Sequence, residues 1–129
     1  MLYKESWVFL TDNTNIRWAK IFHLYKGFHR KVTGTGFFVK ASARVVEPPR
    51  LEYKGFKYKY SIKGDICRIM LVRTSKTNYS KNFVTITLPS NEGISIKKKS
   101  SPTSKFLHGS VVRLASGRRK TLSLFKRSL

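Results

Sequence analysis

Three consecutive basic residues, His29-Arg30-Lys31, lie between the glycine-bearing turns Lys26-Gly27 and Gly34-Thr35-Gly36. Turns of this kind expose backbone amides, and Lys and Arg heads held on a rigid frame are what phosphate oxygens bind. Arg73 and Lys76 stand where an apolar run passes into a polar one. There an Arg can fork bidentately onto a phosphate, whereas Lys offers a point charge. Asn13 and Arg17 flank a short polar turn, in which the Asn either caps the backbone or meets a ribose. Lys97-Lys98-Lys99 and Arg118-Arg119-Lys120 are charge runs with no acidic residue beside them, so a polyanion is their expected counter-ion. Lys40, Arg44, Lys105 and Arg113 complete the candidate anion-binding set. The chemistry on offer is phosphate recognition.

Catalytic chemistry is not expected. His23, His29 and His108 are scattered, and no pair has metal-ligand spacing. Asp12 and Asp65 both open turns, where Asp serves as a backbone acceptor. Gly34-Thr35-Gly36 lacks the rest of any dinucleotide or phosphate-loop fingerprint, and no nucleophile sits in a recognisable elbow. The single cysteine, Cys67, lies in an apolar run and reads as a small core residue. No cofactor and no metal are implied.

The cations must be carried by something folded. The 129 residues hold 27 Lys and Arg against six Asp and Glu, a net charge of +21, yet 40% of the chain is hydrophobic and 13% aromatic. A surface so charged repels itself in isolation, and nucleic acid is the commonest partner that relieves it. No apolar stretch is long enough to span a bilayer and no amphipathic helix is readable, so no membrane is implied. The absence of Gln and the abundance of Lys, Phe, Tyr and Ile point to an A/T-rich genome of the organellar kind.

Period-two alternation predicts strands. From Phe37 to Val46 one face reads Phe37, Val39, Ala41, Ala43 and Val45, and the other carries Lys40, Ser42 and Arg44. Trp18 to Tyr25 reads as an apolar strand with Lys20 and His23 as its wet exceptions. Ile66 to Thr74 and Phe83 to Leu88 read as strands long enough to cross a small barrel. Shorter runs fall at Trp7–Leu10, Val111–Leu114 and Thr121–Phe125. Phe56-Lys57-Tyr58-Lys59-Tyr60 alternates without a break; its aromatics are expected in the core, with stacking on unpaired bases as the alternative. Trp7 and Trp18 are assigned to packing. Many short strands separated by Gly and Pro turns predict an all-β chain, one domain closed into a small barrel. From Lys97 onward ten Lys or Arg and no acidic residue mark a basic extension, which puts the barrel at roughly 1–96 and the extension at 97–129.

The ordered segments also resemble a known family. Asp12-Asn13-Thr14-Asn15-Ile16-Arg17 before a strand, then Gly27-Phe28-His29-Arg30-Lys31 and Gly34-Thr35-Gly36, are similar in order and spacing to the opening of the universal large-subunit ribosomal protein fourteen family. Val39-Lys40 and the strand ending at Glu47-Pro48 fall where that family has its own. Lys63-Gly64-Asp65 followed by Arg73-Thr74-Ser75-Lys76 resembles its lysine-glycine-aspartate strand ending in valine-arginine-threonine. Gly109-Ser110-Val111-Val112-Arg113 and Lys120-Thr121-Leu122-Ser123-Leu124 resemble its closing segments. Pro49 to Ser61 is longer than usual, Thr77 to Asn82 replaces an arginine-rich loop, and Thr103 to His108 matches only loosely.

The resemblance implies a five-stranded barrel with a C-terminal extension of loops and short helices. It implies a structural constituent of the large ribosomal subunit that binds large-subunit rRNA at the subunit interface. It further implies contacts with the third and nineteenth large-subunit protein families and with small-subunit rRNA across an intersubunit bridge. A ribosome-silencing factor would be a further partner. The rRNA contacts expected are the candidates above: Asn13, Arg17, His29, Arg30, Lys31, Lys40, Arg44, Arg73, Lys76, Lys97, Lys98, Lys99, Lys105, Arg113, Arg118 and Arg119. Divergence with added lysines, and a start at the family's own starting point with no room for a cleaved presequence, lead to the expectation of an organelle-encoded, mitochondrial member. A free-standing RNA-binding barrel outside the ribosome is the alternative.

Overall fold

The computed structural model describes residues 2–25, 27, 29–48, 60–75, 78–79, 85–97, 101–104, 106–111 and 127–128. The described secondary structure is all strand: β1 (Leu2–Tyr3), β2 (Trp7–Leu10), β3 (Ile16–Leu24), β4 (Val32–Thr33), β5 (Phe38–Val46), β6 (Ile66–Arg73), β7 (Asn78–Tyr79), β8 (Thr85–Ile86), β9 (Glu92–Ile96), β10 (Phe106–Leu107) and β11 (Arg127–Ser128). Five of them close a barrel in the order β2-β3-β5-β6-β9. Five is odd, so alternating directions cannot close the ring on antiparallel pairs alone. The parallel pair falls between β2 and β9, where Phe9 faces Glu92 and Leu10 faces Gly93.

The interior follows from alternation along each strand. Val8, Leu10, Ala19, Ile21, Val39, Ala41, Ala43, Ile69 and Leu71 form one buried cluster, sealed by Leu2, Ile16 and Leu24. A five-stranded barrel is narrow, so large side chains must interleave with small ones. Gly93 is the limiting case: a Cβ there would meet Ile69 Cγ2 at 2.4 Å and Met70 O at 3.1 Å. A second cluster of Phe38, Met70, Val72, Ile94, Ile96 and Leu107 packs Tyr25 and Val111 against it. Both faces of β6 are therefore covered, which explains its unbroken apolar run Ile69-Met70-Leu71-Val72.

The extension joins the barrel at once. Thr103 N–H donates to Ser95 O at 3.0 Å, and Lys97 N–H to Ser101 O at 2.8 Å. Leu107 bridges to Asp12, and His108 N–H donates to Thr11 O at 3.0 Å.

Several sequence expectations change here. The fifth barrel strand is β9, not the Phe83–Leu88 run, of which the described part gives only Thr85–Ile86, paired with β7 outside the barrel. β9 escapes the apolar pattern because its Gly93 sits where the interior has no room for a side chain. Between β3 and β5 the register shifts three times, and the β3–β5 pairing skips Arg17, Phe22 and Arg44. Bulges of this kind put neighbouring residues on the same face. Val45 consequently turns outward, 48% exposed, while Val39, Ala41 and Ala43 stay buried. Trp7 and Trp18 also face outward, so packing accounts for only part of each ring. Val111 is described outside any strand. The expected short helices and strands over 112–126, and most of the Phe56–Tyr60 alternation, lie outside the described residues.

Cys67 is half-buried against the main cluster, and its thiol donates to Ala41 O at 3.4 Å. Burial, helped by the charges of Asp12 and Asp65, pushes the thiol up to about 12, so it stays protonated and inert at neutral pH. Iodoacetamide at pH 8 is expected to label Cys67 far more slowly in the folded chain than in urea; equal rates would mean an accessible thiol. Gly93→Ala is expected to destabilise the barrel by about 1–3 kcal/mol through overpacking, read from urea unfolding. Gly34→Ala, with nothing within 4 Å of the added Cβ, should change stability much less.

Candidate functional site

Arg73 ends β6, and its side chain is only 8% exposed. Its Nε–H donates to Ser110 O at 2.6 Å and its Nη1 to Thr11 Oγ1 at 3.2 Å. Nη1 also pairs with Glu92 Oε2, and Nη2 donates to His108 O. Burial lowers the pKa of the guanidinium, and Glu92 supplies the charge that offsets that cost. Gly109 adopts φ of 83°, and a Cβ there would meet Arg73 Nη2 at 2.5 Å. The 108–110 loop thus closes over the guanidinium. Arg73, expected to grip a phosphate, has its guanidinium engaged here as a strut between the barrel and the extension.

Among the described residues, two groups of cations gather on the surface. In the first, β1 pairs with β4, with Leu2 opposite Thr33 and Tyr3 opposite Val32. Tyr3, Lys4, His29, Arg30 and Lys31 line an open groove of about 320 Å³. Arg30 is held there: its Nε–H donates to Val32 O at 3.0 Å, and its guanidinium lies 4.4 Å from the Phe37 ring centre. His29, Lys31 and Lys4 are exposed around it. A stacked guanidinium with flanking charges is suited to an oxyanion.

The second cluster lies across β3, β5 and β6. His23 faces Lys40, and Lys40 faces Arg68. Lys40 Nζ lies 5.9 Å and the Arg68 guanidinium 5.2 Å from the Tyr25 ring centre, and Arg68 also lies 4.5 Å from that of Phe38. Tyr25 meets His23 edge-on at 5.4 Å. Like charges directly opposite each other cost stability, and a bound phosphate would relieve that cost. Lys4, His23, Tyr25 and Arg68 were not singled out from sequence. Arg68 had a readable signal, as the polar residue at an outward position of an apolar strand.

Other expected residues stand differently. Arg17 pairs with Glu47 through Nε at 2.7 Å and Nη2 at 3.1 Å. Arg44 is exposed near Glu5, whose carboxyl is held below its ordinary value by the hydrogen bond and charge of Lys20, with Arg44 adding to the effect. Asn13 is half-buried and Lys97 exposed. Asn15 is buried, and its side chain exchanges bonds with Ser61 N–H and O at 3.2 and 2.7 Å and donates to Glu47 O at 3.5 Å. Asn15 thereby ties together both ends of the 48–60 segment. Lys76, Lys98, Lys99, Lys105, Arg113, Arg118 and Arg119 lie outside the described residues.

Asp12 and Asp65 act as the turn reading expects. Asp12 accepts from Thr14 Oγ1 at 2.7 Å and Ser95 N–H at 2.8 Å, and Asp65 accepts from Ile62 N–H at 3.0 Å. Among the described residues no group of three or more His, Cys, Asp or Glu side chains could hold a metal ion.

Set beside known proteins, residues 1–128 match the family model described as ribosomal protein L14p/L23e. The match runs through the Arg73 strut and both cationic clusters. Arg73→Ala is expected to lower stability by about 3 kcal/mol, because it leaves Glu92 without its partner, while the salt dependence of rRNA binding stays as in wild type. A variant of unchanged stability whose log K against log[salt] slope drops by roughly one would return Arg73 to phosphate contact.

Proposed function

The chain belongs to the ribosomal protein L14p/L23e family, and on that premise we propose that it binds large-subunit rRNA at the subunit interface and contributes to an intersubunit bridge. The family's role is structural, within the large ribosomal subunit. The observation that carries the finer reading is the family match over residues 1–128 together with the net charge of +21. The fold presents Arg30, Lys31 and Lys4 around one groove beside the β1–β4 pair, and Lys40 and Arg68 from neighbouring strands of the barrel. Each phosphate met by such a cation releases condensed counter-ions, which supplies affinity without reading sequence. Double-helical RNA hides its major-groove edges, so shape and backbone charge carry the recognition. Catalysis has no part in it.

Neighbouring large-subunit proteins of the third and nineteenth families, small-subunit rRNA and a ribosome-silencing factor are the partners the family implies. The mitochondrial ribosome is the proposed location, supported by the lack of Gln and the surplus of Lys, Phe, Tyr and Ile. Sedimentation of a mitochondrial lysate at high salt and low magnesium tests the assignment. Co-migration with the dissociated large subunit is expected; release into the soluble fraction would favour a free-standing RNA-binding barrel. For the site, Arg30→Ala with Lys31→Ala is expected to flatten the salt dependence of rRNA binding by roughly one slope unit per lost phosphate contact, with unfolding little changed. An unaltered slope would remove that groove from the RNA surface.

A further inference from the structure

The groove beside the β1–β4 pair holds one side chain that phosphate recognition leaves unused. Tyr3 stands 52% exposed, while its neighbour Leu2 is 1% exposed. Strand alternation accounts for both: Leu2 joins the core, and Tyr3 takes the opposite face of the pair. The ring is carried on a fixed frame. Tyr3 N–H donates to Ser6 Oγ at 3.0 Å, Ser6 N–H donates back to Tyr3 O at 3.3 Å, and Glu5 N–H donates to Ile21 O at 2.7 Å. Within this turn Glu5 holds φ of 72°, a conformation that L side chains seldom occupy and that persists only where the surroundings enforce it.

Tyr3 and Arg30 are tied together through one residue. Val32 is the cross-strand partner of Tyr3, and its carbonyl accepts from Arg30 Nε at 3.0 Å. The Phe37 ring, 4.4 Å away, fixes the guanidinium from its other side. One two-stranded ribbon thus holds an aromatic face and a cation at a set separation. Tyr3, Lys4, His29, Arg30 and Lys31 line the groove, and none of the five is acidic. Its volume of about 320 Å³ lies at the small end of the range for single-ligand pockets, about 300–1,000 Å³. That is room for one nucleotide and not for a stretch of double helix. An aromatic face flanked by cations binds a base and its backbone together. In a duplex the base faces are covered by their neighbours, so only an unpaired base can offer its face to a side chain.

We propose that this groove takes a single unpaired nucleotide of RNA, with its base stacked on Tyr3 and its phosphate on Arg30. The inference deepens the rRNA reading above and rests on it. Backbone charge has no use for an exposed ring held on a strained turn; a splayed-out base has. Stacking tolerates every base, so the groove reads that the nucleotide is unpaired and not which nucleotide it is.

The test titrates the full chain against two RNA hairpins that differ at one position. In one the stem carries a single bulged 2-aminopurine; in the other the same 2-aminopurine is paired with uridine. The unsubstituted chain is expected to quench the bulged fluorophore and to bind that hairpin more tightly than the paired one. Tyr3→Leu is expected to abolish the quenching and to weaken binding of the bulged hairpin by about fivefold or more. Binding of the paired hairpin and the slope of log K against log[salt] should stay as they were, because no charge is lost. Tyr3→Phe keeps the ring face and should behave as the unsubstituted chain does. Equal losses on both hairpins with Tyr3→Leu, quenching that survives this substitution, or no preference for the bulge would each overturn the proposal. Arg30→Ala separates this failure from that of the wider reading. A slope that falls with Arg30→Ala while Tyr3→Leu changes nothing removes the stacked base and leaves phosphate recognition standing. A chain that binds neither hairpin would overturn the rRNA reading, and this proposal with it.

Discussion

The buried guanidinium of Arg73 joins parts of the chain that are far apart in sequence. It meets Thr11 just past β2, Glu92 at the start of β9, and the carbonyls of His108 and Ser110. The only parallel pair of the barrel, β2 with β9, closes beside it. A neutral side chain could fill the same space but could not satisfy two carbonyls, a hydroxyl and a carboxylate at once. Five N–H donors in a fixed fork can. The left-handed Gly109 follows from the same constraint, because any side chain there would collide with the guanidinium. Barrel closure and attachment of the extension therefore share one side chain.

Acidic residues are few, and their placement organises the charge. Asp12 is buried, and desolvation raises its pKa despite the bonds from Thr14 and Ser95. A raised carboxyl pKa favours the fold at low pH and works against it once the group ionises. The role of Asp12 as acceptor for the Ser95 amide is therefore kept at an electrostatic cost, which its hydrogen bonds and the charge of Arg17 offset in part. With Asp12, Asp65 and Glu92 committed inside or in turns, few carboxylates are left for the surface. The free chain then carries uncompensated repulsion, and a polyanion relieves it.

The surface is not uniform, and bulges make the difference. The two long strands β3 and β5 run alongside each other for most of their length. At one end their outer face carries Trp18 and Val45 with paired charges; at the other it carries His23 and Lys40 beside Arg68. The shifts at Arg17 and Arg44 bring arginines to the end that carries Trp18 and Val45, and the shift at Phe22 brings an exposed ring beside His23 and Lys40.

Much of this was legible in sequence because it depends on local pattern. Strand period, turn glycines and the +21 charge follow from residue order and composition, and so did the small barrel. The His29-Arg30-Lys31 groove was readable for the same reason, since its residues are neighbours in the chain. What tertiary structure decided were the places where distant segments meet. Sequence gives no sign that Arg73 faces inward, because its partners lie 62 and 37 residues away at Thr11 and Ser110. β9 hid behind Gly93, whose missing side chain is required by Ile69 on the neighbouring strand β6. The outward turn of Trp7, Trp18 and Val45 depends on register and on bulges, and a one-residue shift in pairing reverses which face a side chain takes. Local propensity sets the strands, but only packing across the ring sets which cations reach solvent.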